Sequence, residues 1–231
     1  MDKIYALALP HGNDFNAYVN AALEKGEITK AEWYEINKIY FTKAYLAQDN
    51  PRAQSGHGGD EYHYAFSHLP IIEALYKSGT FCDIGCANGH LMEMVHQWAA
   101  AVGFDLQVYG VDISEGLIEL AKTRLPQWRE RFYIGNSFFW KPEQKFDYIH
   151  VGGLGQVPEA DERLFFEYLM ENYVADGGRM ILGPYWHINE DSRSGGIQRL
   201  LDSGITPNGY VEKTHCINPN MLRIALWFDK D

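Results

Sequence analysis

The chain has 231 residues, 46% of them apolar and 14% aromatic, enough for one core of ordinary domain size with an appended cap. Twenty basic against 31 acidic side chains give a net charge of −11, which excludes a broad nucleic-acid footprint or adhesion to an anionic membrane, because both need clustered Lys and Arg. Three cysteines make neither a disulfide framework nor a metal or redox pair, so no metal is expected. No apolar run reaches membrane length and no cleavage pattern follows residues 4–9, which predicts a soluble, cytoplasmic protein.

Taken in chain order, residues 29–48 carry an aromatic stripe at helical spacing through Trp33, Tyr34, Tyr40, Phe41, Ala44 and Tyr45. Thr29 and Glu32 form a capping box at its start. Residues 49–64, rich in Gly and His and without a period, read as a loop. The run 66–79 reads as a helix with Pro70 near its start and Gly79 at its end. From residue 80 strands and helices alternate. FCDI is a strand, and Leu91, Val95, Trp98 and Val102 mark a helix. LQVYGVD (106–112) is a strand, followed by a helix N-capped by Ser114. Further strands read at 131–135, 146–151 and 177–183, with a helix through Leu164, Phe165, Tyr168 and Leu169 before the last of them. The final runs, GYVEKTHCI and MLRIALWF, are separated by NPN, which is a hairpin spacing and brings the last strand in antiparallel. The result is an α/β expectation: a mostly parallel, doubly wound sheet of about seven strands. Residues 1–65 form an N-terminal helical cap, and 66–231 form the sheet domain.

The densest motif is DIGCANG, residues 83–89. Gly85 sits where the first strand ends and permits a turn closed to residues with a Cβ. Gly89 lets the following helix pack close, with its free N–H groups facing any ligand above. A nicotinamide or flavin fingerprint wants G-x-G-x-x-G, but Ala87 and His90 stand at two of those glycines. Asp83 would also repel a pyrophosphate and suits a cation better.

DIGCANG resembles the first motif of the class I S-adenosylmethionine-dependent methyltransferases, an acidic residue followed by x-G-x-G-x-G with the middle glycine replaced by Ala87. The resemblance implies that Gly85, Cys86, Asn88 and Gly89 pack on the methionine part of S-adenosylmethionine while Asp83 faces its ammonium. It implies that Asp112, with Ile113, holds the ribose hydroxyls at the end of the second strand. GNSFF resembles the adenine-binding segment, with Asn136 accepting from the adenine amino group and Ser137 N–H reaching a ring nitrogen. FDYIHVGGLGQVP resembles the motif where cofactor and substrate meet, beginning at Val151. S-adenosyl-L-homocysteine is the implied product.

The place after the fourth strand reads VGGLGQVP, not the Asn/Asp-Pro-Pro-aromatic motif of the family's nucleic-acid amino-methylating members, so the expected acceptor is a small molecule. The expected acceptor residues are Gln54, His63 and Tyr64 in a lid and Tyr185 and Trp186 after the fifth strand. His187, or failing it His57, is the expected base, because an unperturbed imidazole titrates near neutrality. His187 has a topological argument: the carboxyl ends of parallel strands face the ligand crevice. A nicotinamide-dependent oxidoreductase and a non-catalytic S-adenosylmethionine-binding regulatory module remain alternatives. No nucleic-acid or membrane partner is expected, and the chain is expected as a monomer or homodimer.

Overall fold

A computed structural model describes residues 15–187, 195–214 and 222–231, with the backbone alone for Trp186, His187, Gly195 and Gly196. Helices α1 (Phe15–Glu24) and α2 (Lys30–Leu46) pack together through Phe15, Val19, Ala22, Ile28, Trp33 and Ile36, a core separate from that of the sheet. The capping box forms: the Thr29 side chain accepts from Glu32 N–H, and the Glu32 carboxylate accepts from Thr29 N–H at 2.7 Å.

The segment read as one aperiodic loop followed by one helix is built differently. A short 3₁₀ turn covers Ala53–Ser55, and α3 (Glu61–His68) already starts inside the expected loop. Its N-cap is Asp60, whose carboxylate accepts from His63 N–H at 2.8 Å. Pro70 then opens a separate single turn, α4 (Pro70–Glu73), because proline has no N–H to continue the α3 ladder. Gly79 belongs to the first strand and does not end a helix.

The sheet has seven strands: β1 (Gly79–Ile84), β2 (Leu106–Asp112), β3 (Phe132–Ile134), β4 (Phe146–Val151), β5 (Val174–His187), β6 (Gly209–Thr214) and β7 (Leu222–Asp229). Their order is β3-β2-β1-β4-β5-β7-β6, with β1 to β5 parallel and β7 antiparallel to both neighbours, as the hairpin spacing required. β5 runs well past the expected 177–183 at both ends, and α8 (Gly195–Asp202) was not anticipated.

Helices α5 (His90–Ala101) and α6 (Glu115–Arg124) cover one face, where Phe81, Met92, Val95, Ile118 and Ala121 share a cluster. Helices α7 (Glu162–Asn172) and α8 cover the other through Phe165, Leu169, Ile197 and Leu200. Phe81 and Cys82 point to opposite clusters, the period-2 signature of a strand buried on both sides. Chain order reverses between β1 and β4, which puts the ligand crevice above their carboxyl ends.

Candidate active site

The turn after β1 is shaped by positive φ at Gly85 (79°), Ala87 (47°) and Gly89 (76°). Glycine carries this without cost at two of the three positions. Ala87 is held there from outside: its N–H donates to Asp112 Oδ2 at 2.9 Å. Asp112 Oδ1 accepts from Ser114 N–H at 2.8 Å, so the carboxylate ties the β1 turn to the start of α6. Each oxygen keeps a lone pair for a further donor. Part of Asp112 opens into a cavity, but the carboxylate lies deep in the protein; burial pushes its pKa up to about 6, against the pull of the two backbone N–H groups.

That cavity, about 380 Å³, lies over the strand ends and is within the range of small-molecule sites. Of the residues expected to hold the donor, Gly85, Asp112, Ile113, Asn136 and Ser137 line it. Asn136 Oδ1 already accepts from Phe138 N–H at 3.0 Å, which fixes how the carboxamide faces. The others sit behind this lining. Cys86 and Val151 are buried, and Gly89 caps α5. Asn88 donates to Pro51 O at 2.8 Å and accepts from His90 N–H at 3.1 Å, which joins the turn to the 49–60 segment. Asp83 is 3% exposed, and its Oδ1 lies 2.7 Å from His150 Nδ1, whose Nε2 lies 2.6 Å from Gly183 O.

The opposite wall comes from α2, through Tyr34, Asn37, Thr42 and Tyr45. Burial pushes the phenols of Tyr34 and Tyr45 up to about 12, so both stay neutral. Thr42 donates to Ser114 Oγ at 2.7 Å, and Lys30 pairs with Asp161 at 2.7 Å, so the cap is fastened to the sheet domain at two points. Sequence reading took this aromatic stripe as packing. The available signal was Asn37, a polar residue one turn from Trp33 and one turn from Phe41 on the inward face.

The expected acceptor residues divide. His57 Nε2 lies 3.2 Å from His63 Nδ1, and the His57 ring packs against Tyr64 and His68 at 4.9 and 5.0 Å. Burial, reinforced by Arg223, pulls His57 down to about 4. Burial likewise pulls His68 down to about 3. Among the described residues no three His, Cys, Asp or Glu side chains are placed to hold a metal ion. Gln54 spends its amide on Gln48 O at 2.9 Å. Tyr185 is buried in the cluster that contains Phe166 and Leu200, and its hydroxyl has no partner among the described residues. The side chains of Trp186 and His187 lie outside the described residues; their backbone ends β5.

A seven-stranded sheet of this order, with a glycine turn after β1 and an acidic residue ending β2, is the class I methyltransferase fold. The family model for a methyltransferase domain matches residues 75–209, more than half of the chain, and the chain belongs to that family. The methyl donor of this class is S-adenosylmethionine. The fold is similar to magnesium protoporphyrin IX methyltransferase from Synechocystis PCC 6803 with bound donor (15% identity, 96% of this chain and 100% of that one, TM-score 0.52). It is also similar to phosphoethanolamine N-methyltransferase 1 of Haemonchus contortus, in complex with phosphoethanolamine and S-adenosylhomocysteine (13% identity, 89% of this chain and 51% of that one, TM-score 0.58). A third similar fold is the [4+2]-cyclase SpnF (11% identity, 87% and 96%, TM-score 0.54). At these identities the likeness is one of fold. No curated protein matches. The family replaces the nicotinamide-oxidoreductase alternative. No described helix is long and apolar enough to cross a membrane.

Proposed function

We propose that the protein transfers the methyl group of S-adenosylmethionine to a small-molecule acceptor. The observation that carries this reading is the cavity wall supplied by α2: the crevice above the strand ends is roofed by the cap, which leaves a pocket where a polymer-binding enzyme needs an open groove. A net charge of −11 supports the same choice. In this reading residues 1–65 are the cap and 66–231 the catalytic domain.

The residues present fit the donor. Gly85 gives a cradle with no side chain, Asp112 offers two carboxylate oxygens to a diol, and Asn136 and Ser137 stand beside it on the cavity wall. When bound, the donor supplies an electrophilic methyl on a sulfonium. The chain's work is then to bind, align and exclude water. His57 is unprotonated at neutral pH and so is able to take a proton from an acceptor hydroxyl, amine or thiol, with His63 orienting its ring. Gln54, Tyr64, Tyr185 and Trp186 are proposed acceptor contacts, and His187 the alternative base.

The test is formation of S-adenosylhomocysteine when the protein and donor are incubated with a panel of small hydroxy, amino, thiol and carboxy compounds. Product above the no-acceptor rate for any of them supports the reading. Binding of the donor with no product across the panel would favour the regulatory module.

A further inference from the structure

We propose that the side-chain carbonyl oxygen of Gln156 accepts a hydrogen bond from the ammonium group of the donor's amino-acid end; this rests on the donor reading above. Gln156 ends a short 3₁₀ turn, Leu154–Gln156, that follows β4. Its Nε2 donates to Ile84 O at 2.9 Å. That bond fixes the orientation of the amide, because the flipped form would set two carbonyl oxygens against each other. Oε1 is therefore the acceptor that remains.

The carboxamide lies across the β1 turn. A Cβ placed on Gly85 would be 2.8 Å from Gln156 Nε2 and 3.0 Å from Oε1. Gln156 lines the same cavity as Asp112, and its neighbours Gly152, Gly153 and Gly155 offer no side chain to compete with it. The carboxylate expected to meet the ammonium, Asp83, faces His150 inside the sheet domain and is not part of the cavity lining. The side-chain oxygen nearest the Gly85 turn on the cavity wall is thus an amide from the loop after β4. It suits a cation through its dipole, without bringing a charge into the site.

The experiment compares calorimetric binding of S-adenosylhomocysteine, which carries the amino-acid end, with that of 5′-methylthioadenosine, which lacks it. In Gln156→Leu, the homocysteine ligand should weaken by about tenfold or more, the scale of one hydrogen bond to a charged group, while methylthioadenosine binding stays within about twofold. Gln156→Glu, which restores an acceptor and adds a charge, should recover or exceed the original affinity for the homocysteine ligand alone. Unchanged binding of S-adenosylhomocysteine in Gln156→Leu overturns the inference, as does equal weakening of both ligands. If the unaltered chain binds neither ligand, the donor reading itself falls, and this assignment with it.

Discussion

Asp112 does two jobs with one carboxylate: it holds Ala87 in a left-handed conformation and faces the cavity. Its pKa is raised from the ordinary 3.8 to about 6, so the folded chain binds this proton more tightly than the unfolded one. Ionising Asp112 therefore costs stability as pH rises through that window. Donation from ribose hydroxyls favours the ionised form, so ligand binding has the opposite slope. Affinity for S-adenosylhomocysteine should fall about tenfold for each pH unit below 6, read by calorimetry between pH 7.5 and 5. In Asp112→Asn this slope should disappear along with much of the affinity; a slope that survives would place the titration elsewhere. Asp83 shows what the sequence could not reveal. It reads as an outward carboxylate because its partner, His150, is 67 residues away, and only the β1–β4 register sets the two side by side. Asp83→Ala strips a buried partner from His150 and should cost about 3–5 kcal/mol in urea unfolding. A loss under about 1 kcal/mol would mean the pair is not formed.

At the scale of elements, those with local signals were legible and those fixed by distant contacts were not. The capping box of α2 and the Ser114 cap of α6 are short-range chemistry written in adjacent residues. The cleavage of the 61–79 segment into α3, α4 and β1 depends on Asp60 and Pro70 acting against a helical pattern that looked continuous. Ser114 also receives the Thr42 hydroxyl, so Ser114→Ala removes a cap and loosens the cap-to-domain contact. It should cost about 1–2 kcal/mol of stability and weaken donor binding, whereas Thr42→Val should reproduce only the second effect. The histidines of the 49–68 stretch give that element a pH dependence. His57 and His68 face one another, with His63, His90, His150, Arg52 and Arg223 acting on them electrostatically from neighbouring elements. Both pKa values are lowered in the fold, so the opened segment takes up protons that the closed one refuses. Closure is then fully favoured above about pH 6.5 and lost progressively as pH falls toward 4. Hydrogen exchange of residues 49–68, corrected for intrinsic rate, should be faster at pH 5 than at pH 7.5, and His68→Phe should reduce the difference. Equal protection at both pH values would assign the cluster a purely steric role.

The whole molecule is a sheet domain with a helical pair of separate core laid over its crevice. The order of strands and the sense of the closing hairpin were readable because rhythm and spacing alone specify them. The cap's part in the cavity was not, since an aromatic stripe has the same spacing whether it faces a core or a ligand. Because α2 forms a wall of the cavity, a bound ligand bridges cap and domain. S-adenosylhomocysteine at one hundred times its dissociation constant should add about 2.7 kcal/mol to stability and raise Tm accordingly. A ligand that binds without shifting Tm would bind both folded and unfolded chains.

The two borders of the sheet carry a consequence for handling and for assembly. One border, β3, is only three residues long. The other, β6, is largely exposed and carries Glu212 and Lys213, the latter paired with Glu73 at 3.0 Å. A passing strand therefore meets either a ladder too brief to template it or one whose pairing would bury charge. Fibril growth by strand addition has no starting point at either border, and any association between copies of this chain is confined to helices and loops.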